Sequence, residues 1–184
     1  MAALASLPLA ASGVESAEGQ TARTPSRVLV AYFSRSGNTR VIAGLLKRAF
    51  SAALFEIEPA SPYPEEYLAT VKQATEERDR GIDPLLAAKV TDIASYDTVY
   101  LGFPIWGETA PSIIRSFLKT HDLGGKTLVP FITHGGYGPG KSQRVIASHA
   151  PKAHIQQPFV MQADQERRTM ETVHAWLRQR DATR

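Results

Sequence analysis

RVLVAYFSRSGNT, residues 27–39, is the stretch that decides the fold. Its first half, Arg27 to Phe33, is a short apolar run of the kind that forms a strand buried on both faces. Its second half, Ser34 to Thr39, holds three hydroxyls, an amide and a glycine. A helical pattern follows, with Val41, Leu45, Leu46 and Phe50 at three- to four-residue spacing. A plain helix cap needs one Ser, Asn or Thr, and this turn has four such residues. At a strand-to-helix turn the backbone N–H groups and the helix dipole point at one spot, which suits a phosphate. Ser34, Ser36, Asn38 and Thr39 can each donate one further hydrogen bond. Gly37 allows close backbone approach.

Working outward, strands and helices alternate. Leu54 to Glu58 reads as a second strand, Pro59 to Pro64 as a turn-rich break and Glu65 to Arg80 as a polar helix. Asp97 to Phe103 is a third strand. Pro111 to Thr120 is a helix that turns Ile113, Ile114, Phe117 and Leu118 inward. Lys126 to Thr133 is a fourth strand and Gly140 to His149 a short helix. His154 to Met161 is a fifth strand, and Asp164 to Arg180 a closing helix carrying Val173, Trp176 and Leu177. Five such alternations predict an α/β fold, a parallel sheet covered by helices on both faces. In such sheets ligands sit beyond the carboxyl ends of the strands, where the strand order switches.

The loop after the third strand runs from Phe103 through Pro104, Ile105, Trp106, Gly107 and Glu108 to Pro111. A tryptophan beside a glycine gives a flat apolar surface next to flexible backbone, which suits stacking on an aromatic ring. The loop after the fourth strand contains GGYGPGKS, Gly135 to Ser142, a complete match to the nucleotide-binding P-loop pattern. Its surroundings argue against an ATPase. A P-loop normally follows the first strand, with acidic residues for Mg²⁺ on later strands. Here one strand remains, ending at a lone Asp164. Pro139 also removes a backbone N–H where a phosphate cradle needs donors. The phosphate loop already stands at Ser34 to Thr39.

YFSRSGNT, residues 32–39, resembles the FMN-phosphate loop of the flavodoxin-like proteins, with Arg35 at its variable position, touching the phosphate or facing solvent. Trp106, Gly107 and Glu108 resemble the flavin-stacking loop. PIWGETAP, residues 104–111, and FEIEPASPYP, residues 55–64, resemble a bacterial branch of the same family. The resemblance covers Arg27 to Arg180. It implies a three-layer doubly wound sandwich with five parallel strands in the order 2-1-3-4-5, of the short-chain type. It also implies FMN as cofactor, with Trp106 covering one face of the isoalloxazine. The Gly107 peptide could turn its carbonyl toward a reduced flavin, and Glu108 would disfavour an anionic one. His134, Gly135, Gly136, Tyr137 and Gly138 would line the pyrimidine edge. Tyr137 either stacks on the second flavin face or points to solvent. His134 either offsets charge on the ring or is a satisfied strand-end histidine.

Net charge is +3 over 184 residues and is spread along the chain, which describes a solvated surface rather than a nucleic-acid face. No apolar run reaches the length of a membrane span. With no cysteine, disulfides, thiolate metal sites and cysteine nucleophiles are excluded. His121, His149, His154 and His174 lack metal-binding spacing. Residues 1–26, rich in Ala, Ser and Gly, read as a disordered tail or the remnant of a signal segment; the rest, 27–184, is the FMN-binding domain. The location is therefore cytoplasmic, or exported if that segment is a leader. Two roles compete. One is a reductase moving electrons from NAD(P)H to a quinone or similar small acceptor. The other is a one-electron carrier that docks on protein partners. A third reading is a non-catalytic interaction module of the same fold. The family resemblance alone suggests a homodimer.

Overall fold

In a computed structural model, residues 27–163 and 166–181 are described. The segment 1–26 and Asp164 lie outside them. The elements, in chain order, are β1 (Val28–Tyr32), α1 (Asn38–Phe50), β2 (Ala53–Glu56), α2 (Tyr67–Asp79), β3 (Thr98–Pro104), α3 (Ser112–Thr120), β4 (Thr127–His134), α4 (Ser142–His149), β5 (His154–Ile155), β6 (Phe159–Gln162) and α5 (Glu166–Asp181).

All strand pairs are parallel, in the order β2-β1-β3-β4-β5, with β6 also beside β4. Period-two alternation sorts the side chains of each strand between two cores. Leu29 and Ala31 of β1, with Val99 and Leu101 of β3, pack against Ile113, Ile114 and Phe117 of α3. Val30 and Tyr32, with Tyr100, Val129 and Phe131, pack against Ile42 and Leu46 of α1 and Val173 and Leu177 of α5. The inward residues expected for α3 and α5 are thus where the sequence pattern puts them.

The fifth strand differs from its expected form. It is not continuous over 154–161 but broken into β5 and β6. Thr127 pairs with His154, whereas Phe131 pairs with Phe159, so the break inserts one extra residue. Pro158 sits in the break and has no N–H to give the ladder. Smaller shifts occur at two boundaries. The second strand ends at Glu56 rather than Glu58. α2 starts at Tyr67, because the Glu66 carboxylate accepts the N–H groups of Leu68 and Ala69 at 2.8 and 2.5 Å and so caps the helix. Between α2 and β3 the chain is irregular apart from a 3₁₀ turn at Ile93–Ser95.

Candidate functional site

The loops after β1, β3 and β4 lie at the carboxyl ends of three adjacent strands. β1 and β3 flank the switch in strand order, because the chain leaves β1 toward β2 on one side and returns as β3 on the other.

At the end of β1 the chain turns through Gly37, whose φ of +92° is left-handed backbone. Gly37 precedes α1, and no side chain caps the helix. The first amides of α1 therefore remain available, because Val41 is the first residue whose N–H closes back, to the Gly37 carbonyl at 3.1 Å. Ser34 and Ser36 flank this opening, with Asn38 Nδ2 3.4 Å from Ser36 Oγ. Thr39 is placed differently. It is 1% exposed, and its hydroxyl meets that of Thr133 at 2.9 Å, tying the start of α1 to the end of β4. Arg35 is exposed: it donates to the Glu65 carbonyl at 2.7 Å and lies over the Tyr67 ring. It thereby ties the first loop to the start of α2. Below the loop, Tyr32 Oη donates to Glu56, which Arg40 also holds at 2.5 Å. Burial, and then the Glu56 carboxylate, push the Tyr32 phenol above its usual range.

The loop after β3 is a tight reversal. Trp106 and Thr109 exchange two backbone hydrogen bonds, at 3.0 and 3.2 Å, across Gly107 and Glu108. Both central residues have positive φ, +54° and +64°, as a type I′ turn requires. Glycine accepts this freely, whereas Glu108 is strained there. Trp106 is half-buried and meets the edges of Phe33 and Tyr63 at centroid distances of 5.1 and 4.9 Å. Tyr63 is itself anchored, donating at 2.9 Å to the buried Glu77 carboxylate of α2. Burial, followed by the nearby Glu77 charge, holds the Tyr63 phenol protonated far above its usual range. Beside Trp106 lies a cavity of about 160 Å³, also lined by Arg35, Tyr67, Val71 and Arg78. Arg78 Nη1 reaches the Gly107 carbonyl at 3.4 Å. Pro104 and Ile105 continue β3 into the turn, Ile105 N–H bonding the Thr133 carbonyl at 2.8 Å.

In the loop after β4, His134 Nδ1 accepts the N–H groups of Gly136 and Gly138 at 3.0 and 3.2 Å. Through Nδ1, His134 organises its own loop. Gly135 is exposed, and Tyr137 is 93% exposed. The second half of GGYGPGKS is spent internally. Ser142 is fully buried, with its hydroxyl on the Pro139 carbonyl at 2.6 Å. The Lys141 amide donates to the Glu108 carbonyl at 2.8 Å. Neither group faces a phosphate cradle, in agreement with the rejection of a P-loop.

Sequence reading missed Tyr63, Tyr67, Arg78 and Thr109, all of which frame the Trp106 turn. The apolar residues of α2 do not fall on one stripe, so its inward face leaves little trace in the sequence.

A doubly wound open parallel sheet with its candidate site at the β1/β3 switch point defines the class. The chain belongs to the flavodoxin family, whose pattern matches residues 27–180. Among solved structures it is similar to one from Bacteroides eggerthii, provisionally assigned as a flavoprotein. The two share 34% identity over 82% of this chain and 94% of that one, with a TM-score of 0.69. A second such structure, from Bacteroides uniformis, shares 29% over 84% and 99%, also at 0.69. A Lactobacillus acidophilus flavoprotein in complex with FMN has the same fold at 19% identity, covering 72% of this chain and 91% of that one, with a TM-score of 0.65. No curated protein matches the chain.

Proposed function

We propose that the chain is an FMN-binding oxidoreductase that takes electrons from NAD(P)H and passes them to a quinone or similar small acceptor. The observation that carries the reading is the uncapped start of α1. Open backbone amides, two serine hydroxyls and a left-handed glycine meet there, and residues 34–39 contain no carboxylate. That donor set fits a phosphate monoester.

When bound, FMN supplies the redox chemistry. Ser34, Ser36, Asn38 and the first amides of α1 hold its phosphate. Thr39 supports the loop from below through Thr133. Arg35 ties the loop to α2 and stays at the solvent rim. Trp106, braced edge-on by Phe33 and Tyr63, covers one face of the ring system, with Pro104 and Ile105 leading the chain into place. The turn residues Gly107 and Glu108 set the polarity beside the ring. The backbone of Gly135, Gly136 and Gly138, shaped by His134, lines the pyrimidine edge. Tyr137 is free to cover the second face. The overall reaction balances: NAD(P)H gives up a hydride, water supplies a proton, and the quinone leaves as hydroquinone.

The test is FMN saturation of the full chain, read by flavin fluorescence and the visible spectrum with ATP in parallel, followed by NADPH turnover with a quinone. Quenched, retained FMN and steady turnover support the reductase. Retained FMN with negligible turnover returns the carrier, and a folded chain that holds no FMN returns the interaction module. ATP binding abolished by Lys141→Ala would restore the P-loop.

A further inference from the structure

A groove of about 640 Å³ opens beside the 106–109 turn, and nothing in the reading above uses it. Four basic residues line it: Arg78 of α2, Arg115 of α3, Lys141 just before α4 and Arg144 in its first turn. Arg78 and Arg115 are partly neutralised by Asp79 and Asp83, each at 2.8 Å. Lys141 and Arg144 form no ion pair among the described residues. Against these four cations the lining offers one carboxylate, Glu108. Thr109, also in the lining, carries a buried hydroxyl with no hydrogen-bond partner among the described residues. Such an orphan is uncommon in native structures.

The groove is fastened to the turn from both sides. Arg78 reaches the Gly107 carbonyl at 3.4 Å, and the Lys141 amide reaches the Glu108 carbonyl at 2.8 Å. Gly140 makes this approach possible, because a Cβ there would lie 2.1 Å from the Glu108 carbonyl oxygen. A concave site of this size suits a small molecule rather than a flat protein face. Arg115 is held by Asp83 and the Glu77 and Ile82 carbonyls and Arg78 by Asp79 and the Gly107 carbonyl, so Lys141 and the Arg144 guanidinium are the groups that suit phosphate oxygens.

We propose that this groove seats the phosphates of a nucleotide electron donor and presents the donor to the Trp106–Thr109 turn from the side of α3 and α4. The assignment rests on the redox reading above and names the seat of its donor. Two unpaired cations favour a dinucleotide with an additional 2′-phosphate over one without it. Lys141 then serves an anion after all, in a groove built from three helices.

The experiment is calorimetric titration of the full chain, with and without FMN, using adenosine 2′,5′-bisphosphate, 5′-AMP and inorganic phosphate as probes. The bisphosphate should bind best, and more weakly as salt is raised. The double variant K141E/R144E should weaken it by about tenfold or more at low ionic strength while FMN quenching is retained. Both side chains are exposed; should charge reversal disturb folding, K141Q/R144Q gives the same test with a smaller loss. Unchanged bisphosphate affinity in the folded variants overturns the proposal. So does inorganic phosphate binding as tightly as the bisphosphate. Variants that slow electron transfer to an acidic redox protein but leave the probe bound also overturn it, in favour of a protein-docking face. A chain that binds the bisphosphate through Lys141 and Arg144 but holds no FMN sustains the groove and sinks the redox reading.

Discussion

Replacing Thr39 and Thr133 by valine, singly and together, tests how the first loop is held. Their hydroxyls meet at 2.9 Å, and the residues are 1% and 2% exposed. Valine keeps the shape and removes one hydroxyl. Either single variant leaves the partner hydroxyl buried and unpaired, at a cost of roughly 2 kcal/mol. The double variant leaves no orphan and should cost less than about 1 kcal/mol. The cycle should therefore yield an interaction energy of about 3–4 kcal/mol. In urea each single variant should lower the midpoint by about 1 M, and the double variant should recover most of it. The FMN-free chain is the material to use, so that cofactor binding does not mask folding. Additive losses would refute the reasoning, since they would mean that each hydroxyl finds another partner or water.

Trp106→Ala should weaken FMN by about tenfold or more and restore much of the flavin fluorescence, with Trp106→Phe in between; a fluorescence titration checks both. Gly140→Ala combines a φ of +52° with a Cβ 2.1 Å from the Glu108 carbonyl oxygen, and should cost about 2–4 kcal/mol in denaturant unfolding. His121 gives the fold a pH dependence. Burial holds its pKa below the usual 6.5, Nδ1 lies 2.9 Å from the Phe117 carbonyl, and Nε2 accepts the Val90 N–H at 3.0 Å. The folded state keeps the ring neutral while the unfolded chain takes up a proton. Stability is therefore full above 6.5 and falls as pH drops below it toward the lowered folded value. Unfolding free energies at pH 7.5 and pH 5.5 should show this loss, and His121→Gln should flatten it.

The alternation of buried runs with helical patterns was enough to predict the parallel sheet, because each strand and helix carries its period in its own residues. The Ser34–Thr39 and Trp106–Glu108 loops stood out as candidates for the same local reason: an excess of donors, or a ring beside a glycine, falls at a strand end. What escaped depends on contacts far apart in sequence. Thr39 looked like another phosphate donor, and only its approach to Thr133 shows it supporting the loop from beneath. Arg78 and Thr109 are ordinary residues until folding brings them to one turn. The break in the fifth strand was partly readable, since Pro158 lacks an N–H, but the extra residue appears only in the pairing with β4.

That break has a bearing on how copies of the chain could meet. A sheet of this kind has two open margins, each a row of unpaired N–H and C=O groups that invites another chain to zip on. Here one margin is β2, four residues long. The other is interrupted at Gln156–Pro158 between pieces of two and four residues. Neither offers a straight template of ordinary strand length, so the fold resists sheet-to-sheet polymerisation. Pairing of two molecules through helix surfaces or loops is then favoured over a shared sheet edge.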